Sequence, residues 1–188
     1  MASTAIHIRP LQKWSREIND RDKNSECIRE DLSDKNEFWT SIKSLSSRRA
    51  EIKKIVLEKT GRKMQERAVP LKEGLVVINE KTTMTMLQQL AKNIQQLLGV
   101  ETVQICIHRD SGHWEDKVWI PNLHAHMVFD WYNHETGKSF RCSPLCFNQL
   151  QTITAETLGM ERGKPGDNKH LSTLQYKYDK MQNKYDAL

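Results

Sequence analysis

At 188 residues, with 37% hydrophobic and 28% charged side chains, the chain is long enough for one compact domain with a real core and rich enough in charge for large exposed helices. No apolar run approaches the roughly 20 residues that span a bilayer, and MASTAIHIRP lacks the apolar stretch of a secretory signal, so membrane-spanning and secreted classes are set aside. The formal net charge of +5 lies in the first third: residues 1–67 hold 16 Lys and Arg against 11 Asp and Glu, and residues 68–188 hold 13 of each. Such a surplus fits a polyanionic partner, and equally a solvated helix with more Lys than Glu.

In chain order, residues 4–9 (TAIHIR) read as a short strand. Residues 15–36 are dense in charge, Asn and Ser without clear periodicity, and read as a loop or short helix. A charged helix is expected from Phe38 to Thr60, with Trp39, Ile42, Leu45, Ile52, Ile55 and Val56 as anchors and Gly61 as its stop. Leu71 to Asn79 reads as a strand. Thr83 then caps an amphipathic helix whose Leu87, Leu90, Ala91, Ile94, Leu97 and Leu98 follow three-and-four spacing up to Gly99.

Thr102 to Arg109 is the next strand, with Val103, Ile105 and Ile107 facing one way and Gln104, Cys106 and His108 the other. SGHWEDKVWIP follows as a loop. In the strand NLHAHMVFDW, Leu123, Ala125, Met127 and Phe129 oppose His124, His126, Val128 and Asp130. NHETGK makes a turn into the short strand SFRC, and Ser143 and Pro144 open a helix with Phe147, Leu150, Ile153 and Leu158 inward and Gly159 at its end. A last helix is expected from about His170. The mixture predicts an α+β fold, a mainly antiparallel sheet with helices packed on one face and a polar face left for a ligand. The expected division is a domain over 1–168 and a C-terminal helix over 169–188, the start of a longer helical region.

The four cysteines (Cys27, Cys106, Cys142 and Cys146) are irregularly spaced and form no C-x-x-C pair, which favours reduced thiols and a cytoplasmic protein over a disulfide framework. Cys142 and Cys146 are the alternative, a thiol pair for zinc.

Three histidines carry the chemistry. Residues two apart on a strand share a face, so His124 and His126 point together, and His108 ends a neighbouring strand on its polar side. Neutral imidazole is the commonest side-chain metal ligand, and three of them leave coordination positions for a substrate oxygen. An isolated H-x-H is a weak signal, and the third histidine is what strengthens it. His113 is a possible fourth ligand or a substrate contact, and His134 a turn residue. Asp130 or Asp110 would orient an imidazole by accepting its other ring proton. The donor set disfavours calcium and leaves manganese, magnesium, zinc and nickel open. An H-x-H followed by an acid also suits cupin-like small-molecule metalloenzymes, but the two amphipathic helices argue against an all-β barrel.

The blocks AIHIRP, HRDSGH, NLHAHMVFDW, NHETGKS and AETLGMERG, with KHL at 169–171, resemble those of the MobV (Pre/Mob plasmid recombination) relaxases, in the form found in Bacteroidetes mobile elements. The resemblance covers nearly the whole chain. It implies an HUH-type relaxase fold that binds single-stranded or hairpin DNA at a transfer origin, nicks one strand and stays attached to its 5′ phosphate. It carries the metal-ligand role onto His108, His124 and His126. The implied cofactor is a divalent ion, manganese or magnesium ahead of zinc or nickel, and other mobilisation or coupling proteins are candidate partners.

Two positions depart from the family. Its first motif, H-N-x-R, supplies the nucleophilic histidine, and here the matching stretch is Ile18-Asn19-Asp20-Arg21; an acid often found three residues after the first metal histidine is here Ser111. Asn19, Arg21 and Lys23 still match. Isoleucine has no nucleophilic atom. Either the chain binds origin DNA without cutting it, or another group such as His7 attacks, or the motif is shifted by a residue or two. The expected DNA contacts are Arg9, Asn19, Arg21, Lys23, Arg48 and Arg49 on phosphates, and Trp114, with Trp14 and Trp119 as alternatives, on bases.

Overall fold

The computed structural model describes residues 2–11 and 27–163. Ile18, Asn19, Arg21, Lys23, Trp14 and the helix expected from His170 lie outside the described residues, as does the boundary at residue 168. In chain order the elements are β1 (Ser3–Thr4), β2 (Ile6–Pro10), a 3-10 turn (Glu30–Lys35), β3 (Glu37–Thr40), α1 (Leu45–Thr60), β4 (Leu71–Val77), α2 (Met84–Leu98) and β5 (Glu101–His108). They continue as β6 (Gly112–Glu115), β7 (Val118–Pro121), β8 (His124–Asp130), β9 (Tyr132–Asn133), β10 (Lys138–Ser139), α3 (Pro144–Leu158) and β11 (Glu161–Arg162). No helix among the described residues is long and apolar enough to cross a membrane.

Five strands form one antiparallel sheet in the order β2-β4-β8-β5-β3. This bears out the expected α+β class. One face carries Ile105, Ile107, Val76, Ala125, Met127 and Phe129, and it packs against Leu87, Leu90 and Ile94 of α2 and Leu150 and Leu158 of α3. Those α2 and α3 positions are spaced three, four and eight apart, so each helix presents one stripe to the sheet. At about 25 cal/mol per Å² of apolar surface, each such buried Leu or Ile contributes roughly 1.5–3 kcal/mol. Gly74 permits a close approach within the sheet: a Cβ there would lie 2.8 Å from the Phe129 ring.

The opposite face is divided. Its far half is covered by α1, whose Leu45, Ile52 and Val56 pack with Leu71, Val103 and Val128 in a second core. Ser44 caps α1 through a reciprocal pair with Ser47, accepting from its backbone N–H at 3.0 Å and donating its own N–H at 3.2 Å.

Three expectations are corrected here. Phe38 and Trp39 do not begin a helix: they belong to the edge strand β3, and the helix starts at Leu45 after a break at residues 41–44. Val103 does not share a face with Ile105, because a bulge between Thr102 and Gln104 changes the register and sends Val103 to the second core. The stretch 111–121 is a hairpin rather than a loop; Asp116 (φ 47°) and Lys117 (φ 66°) make its two-residue turn in the left-handed region without a glycine.

Candidate metal centre

Rows of side chains crossing the sheet set the site. Residues directly opposite on antiparallel strands project from the same face. One row on the polar face is His108, His124 and Val77; the next is Phe38, Cys106, His126, Leu75 and His7; the third is Thr40, Gln104, Val128, Glu73 and Arg9. The three expected ligands therefore occupy two adjacent rows on the neighbouring inner strands β5 and β8. Their rings stand 5.2 Å (His108–His124), 5.2 Å (His108–His126) and 5.0 Å (His124–His126) apart, and one nitrogen from each lies within 4.8 Å of the others. This is the one cluster of three or more potential ligands among the described residues.

Hydrogen bonds on the outer ring nitrogens choose the tautomers. Nδ1 of His124 lies 2.7 Å from the Asn122 carbonyl. A carbonyl only accepts, so Nδ1 carries the proton and Nε2 keeps its lone pair. Nδ1 of His126 lies 2.9 Å from Oε1 of Glu73. Burial of Glu73 opposes its charge, but the hydrogen bond and charge of His126, together with Arg9, outweigh burial and hold the carboxyl at about 2. Glu73 is thus an acceptor, and Nε2 of His126, buried and without a hydrogen-bond partner, is the atom presented to a ligand. A buried basic nitrogen suits a cation, and three imidazoles in their neutral form are a donor set for a divalent metal ion. The residues present fit a divalent ion.

Glu73 is the residue that sequence reading missed. It lies within β4 with no exposed surface, diagonal to His126, and both Nε and Nη2 of Arg9 approach its Oε2 at 2.7 Å. The available signal was an acid on the same side as Leu71, Leu75 and Val77 in the strand LKEGLVV, where an unpaired carboxylate would be costly. The two acids proposed for the orienting role do other work. Asp130 accepts from Nε of Arg48 and lies against Nε2 of His134, both at 2.7 Å. Asp110 accepts from Ser33 at 2.8 Å and Asn36 at 2.7 Å, tying the 3-10 turn to the end of β5. His134 is in its expected turn, but its ring seals Asp130.

Of the expected DNA contacts, Arg9 is on the metal face, with its charge shared with Glu73 and its side chain 37% exposed. Arg48 is corrected: it is a structural cation, ion-paired with Asp130, Glu101 and Glu51 and only 10% exposed. Arg49 is exposed on α1. His7 is exposed on β2, in the row of His126 and two strands from it. Trp114 is 59% exposed on the β6–β7 hairpin, which connects the two ligand-bearing strands. It stands edge-on to Trp119, over which Arg29 sits at 5.8 Å. His113 is exposed on the same hairpin, outside the cluster of ligands.

Cys142 and Cys146 form no disulfide. Burial, then the hydrogen bond with Cys146, push the Cys142 thiol up to about 12, which opposes the thiolate form a zinc site needs. No third ligand joins that pair among the described residues.

No family model and no curated protein matches the chain. Solved structures do. A MobM relaxase domain (MOBV; Mob_Pre) bound to plasmid pMV158 oriT DNA of 22 nucleotides, in a manganese-bound crystal at pH 5.5, is similar with a TM-score of 0.71 at 17% identity, over 95% of this chain and 100% of that one. The same domain with a 23-nucleotide oriT DNA, manganese-bound at pH 6.5, gives 0.63 at 15% identity over 96% and 99%. Its complex with 26-nucleotide oriT DNA gives 0.55 at 15% identity over 93% and 99%. The chain, an antiparallel five-stranded sheet with helices packed on it, thus has the fold of the MobM relaxase domain.

Proposed function

We propose that the chain is a MobV-type relaxase domain: it binds single-stranded or hairpin DNA at a transfer origin and holds one phosphodiester for metal-assisted strand transfer. The supporting observation is the convergence of His108, His124 and His126 on one sheet face, with the tautomers of His124 and His126 set by Asn122 and Glu73. The solved domains of this fold carry manganese and origin DNA, which favours manganese here. A bound divalent ion would supply Lewis-acid polarisation of a phosphoryl oxygen and neutralise charge that builds on it.

The chain's own residues divide the remaining work. His108, His124 and His126 hold the cation; Glu73 holds the His126 ring in the orientation that presents Nε2. Arg9, Asn19, Arg21 and Lys23 contact backbone phosphates, and Trp114 stacks on a base. In the transfer step a nucleophile attacks phosphorus in line, the bond to the 3′ oxygen breaks, and the 5′ phosphate stays on the protein. Ile18 cannot be that nucleophile; His7 is the exposed imidazole on the same face. The reading places the protein in the cytoplasm with its DNA.

Ile18 favours a second reading, an origin-binding module that does not cut. A nicking assay on single-stranded origin-type DNA with manganese separates the two. Cleavage abolished by His126→Ala supports the relaxase. Salt-dependent binding without cleavage, converted to cleavage by Ile18→His, supports the module; no manganese binding by the three histidines would sink both.

A further inference from the structure

Phe38 is 58% exposed and belongs to neither hydrophobic core, although Trp39 beside it packs on the first. An exposed aromatic alone needs no explanation. Its position does. Phe38 ends the row that runs through Cys106 to His126, so its ring projects from the metal face on the edge strand. Two strand spacings, about 10 Å, separate its backbone from that of His126. Its neighbours on that face of β3 are Asn36 and Thr40, and across the strand is Cys106; all are small or polar, and more than half of the Phe38 side chain stays exposed among them. Asn36 is itself fastened, donating to Asp110 at 2.7 Å and accepting from the Arg109 N–H at 2.8 Å, so the strand start is rigid.

We infer that Phe38 is a base-stacking platform: it receives a base of a single-stranded polynucleotide whose neighbouring phosphate is held at the histidine cluster. This rests on the function proposed above and adds a specific contact to it. A flat ring next to a phosphate-binding cation matches the alternation of base and phosphate along a single strand, and stacking accepts any base because each has a π face.

The test uses the full chain loaded with manganese and two probes, a fluorescein-labelled oligothymidylate and an abasic oligomer of equal length. Wild-type protein should bind the base-bearing strand about tenfold more tightly, the usual worth of one stacked base. Phe38→Leu should lose most of that preference, leaving what Trp114 supplies, and Phe38→Trp should keep it whole, with manganese affinity unchanged in both. A 2-aminopurine in the strand should be quenched by wild type and by Phe38→Trp, and not by Phe38→Leu. Unaltered base preference in Phe38→Leu overturns the inference and leaves the relaxase reading standing. So does a wild-type dimer that Phe38→Leu converts to monomer, since the ring would then serve a contact between copies. Failure of loaded wild type to bind either strand overturns both.

Discussion

The two ends of one sheet face use the same pair of groups differently. At the metal end, Glu73 accepts from His126 and leaves the other ring nitrogen for a ligand; at the far end, Asp130 takes His134 and Arg48 together beneath α1. Both carboxylates are buried, at 0% and 1% exposure. What differs is the cover. Where α1 closes the face, the acid is saturated and the histidine is a structural partner. Where no helix of the described residues closes it, the acid fixes a histidine whose other ring nitrogen has no hydrogen-bond partner and stands in the histidine cluster. A histidine–carboxylate pair is therefore no sign of a site by itself; the element packed above it decides.

The comparison breaks most visibly at the ligands. His126→Ala should abolish stoichiometric manganese binding by calorimetry, and His134→Ala should leave it intact. Equal losses in the two variants would remove the distinction between the ends. Asp130→Ala should be the most destabilising change, by about 3 kcal/mol in urea denaturation, because it removes the one buried partner of Arg48 and leaves only the exposed Glu51 and Glu101. Metal affinity should not change with it.

Glu73→Gln should weaken manganese by about 10–100-fold while the three ligands remain, the usual effect of removing an orienting carboxylate. The acid limb sharpens this. The Glu73 carboxyl is held at about 2 against an ordinary 4.5, so its contribution is whole above pH 4.5 and fades as pH falls through 2. Wild-type stability should decline across that interval, and Glu73→Gln should decline less; parallel acid curves would count against a native ionised Glu73. The smallest effect belongs to the helix start: Ser44→Ala should cost about 1 kcal/mol, from loss of the cap over α1, with no change in metal affinity.

Much of this was legible beforehand because it depends on local pattern. Alternation in β8 put His124 and His126 on one side, and alternation in β5 put His108 on its polar side. Thr83, Ser143 and the glycines after the helices marked α2 and α3 at both ends. The misplacements came from features without a local signature. A bulge changed the face of Val103, a hairpin turned on Asp116 and Lys117 with no glycine, and Phe38 and Trp39 resembled helix anchors until β5 supplied them an edge to pair with.

The sequence by itself determined which histidines cluster and the fold class, since the period of two along a strand and the three-and-four spacing of a helix are written in neighbouring residues. Only the tertiary structure decided which acid orients which imidazole. Glu73 and His126 are 53 residues apart in the chain and meet because β4 and β8 pair in one register. A shift of one residue in that pairing would turn one strand's set to the other face, and no local pattern encodes the register between distant strands.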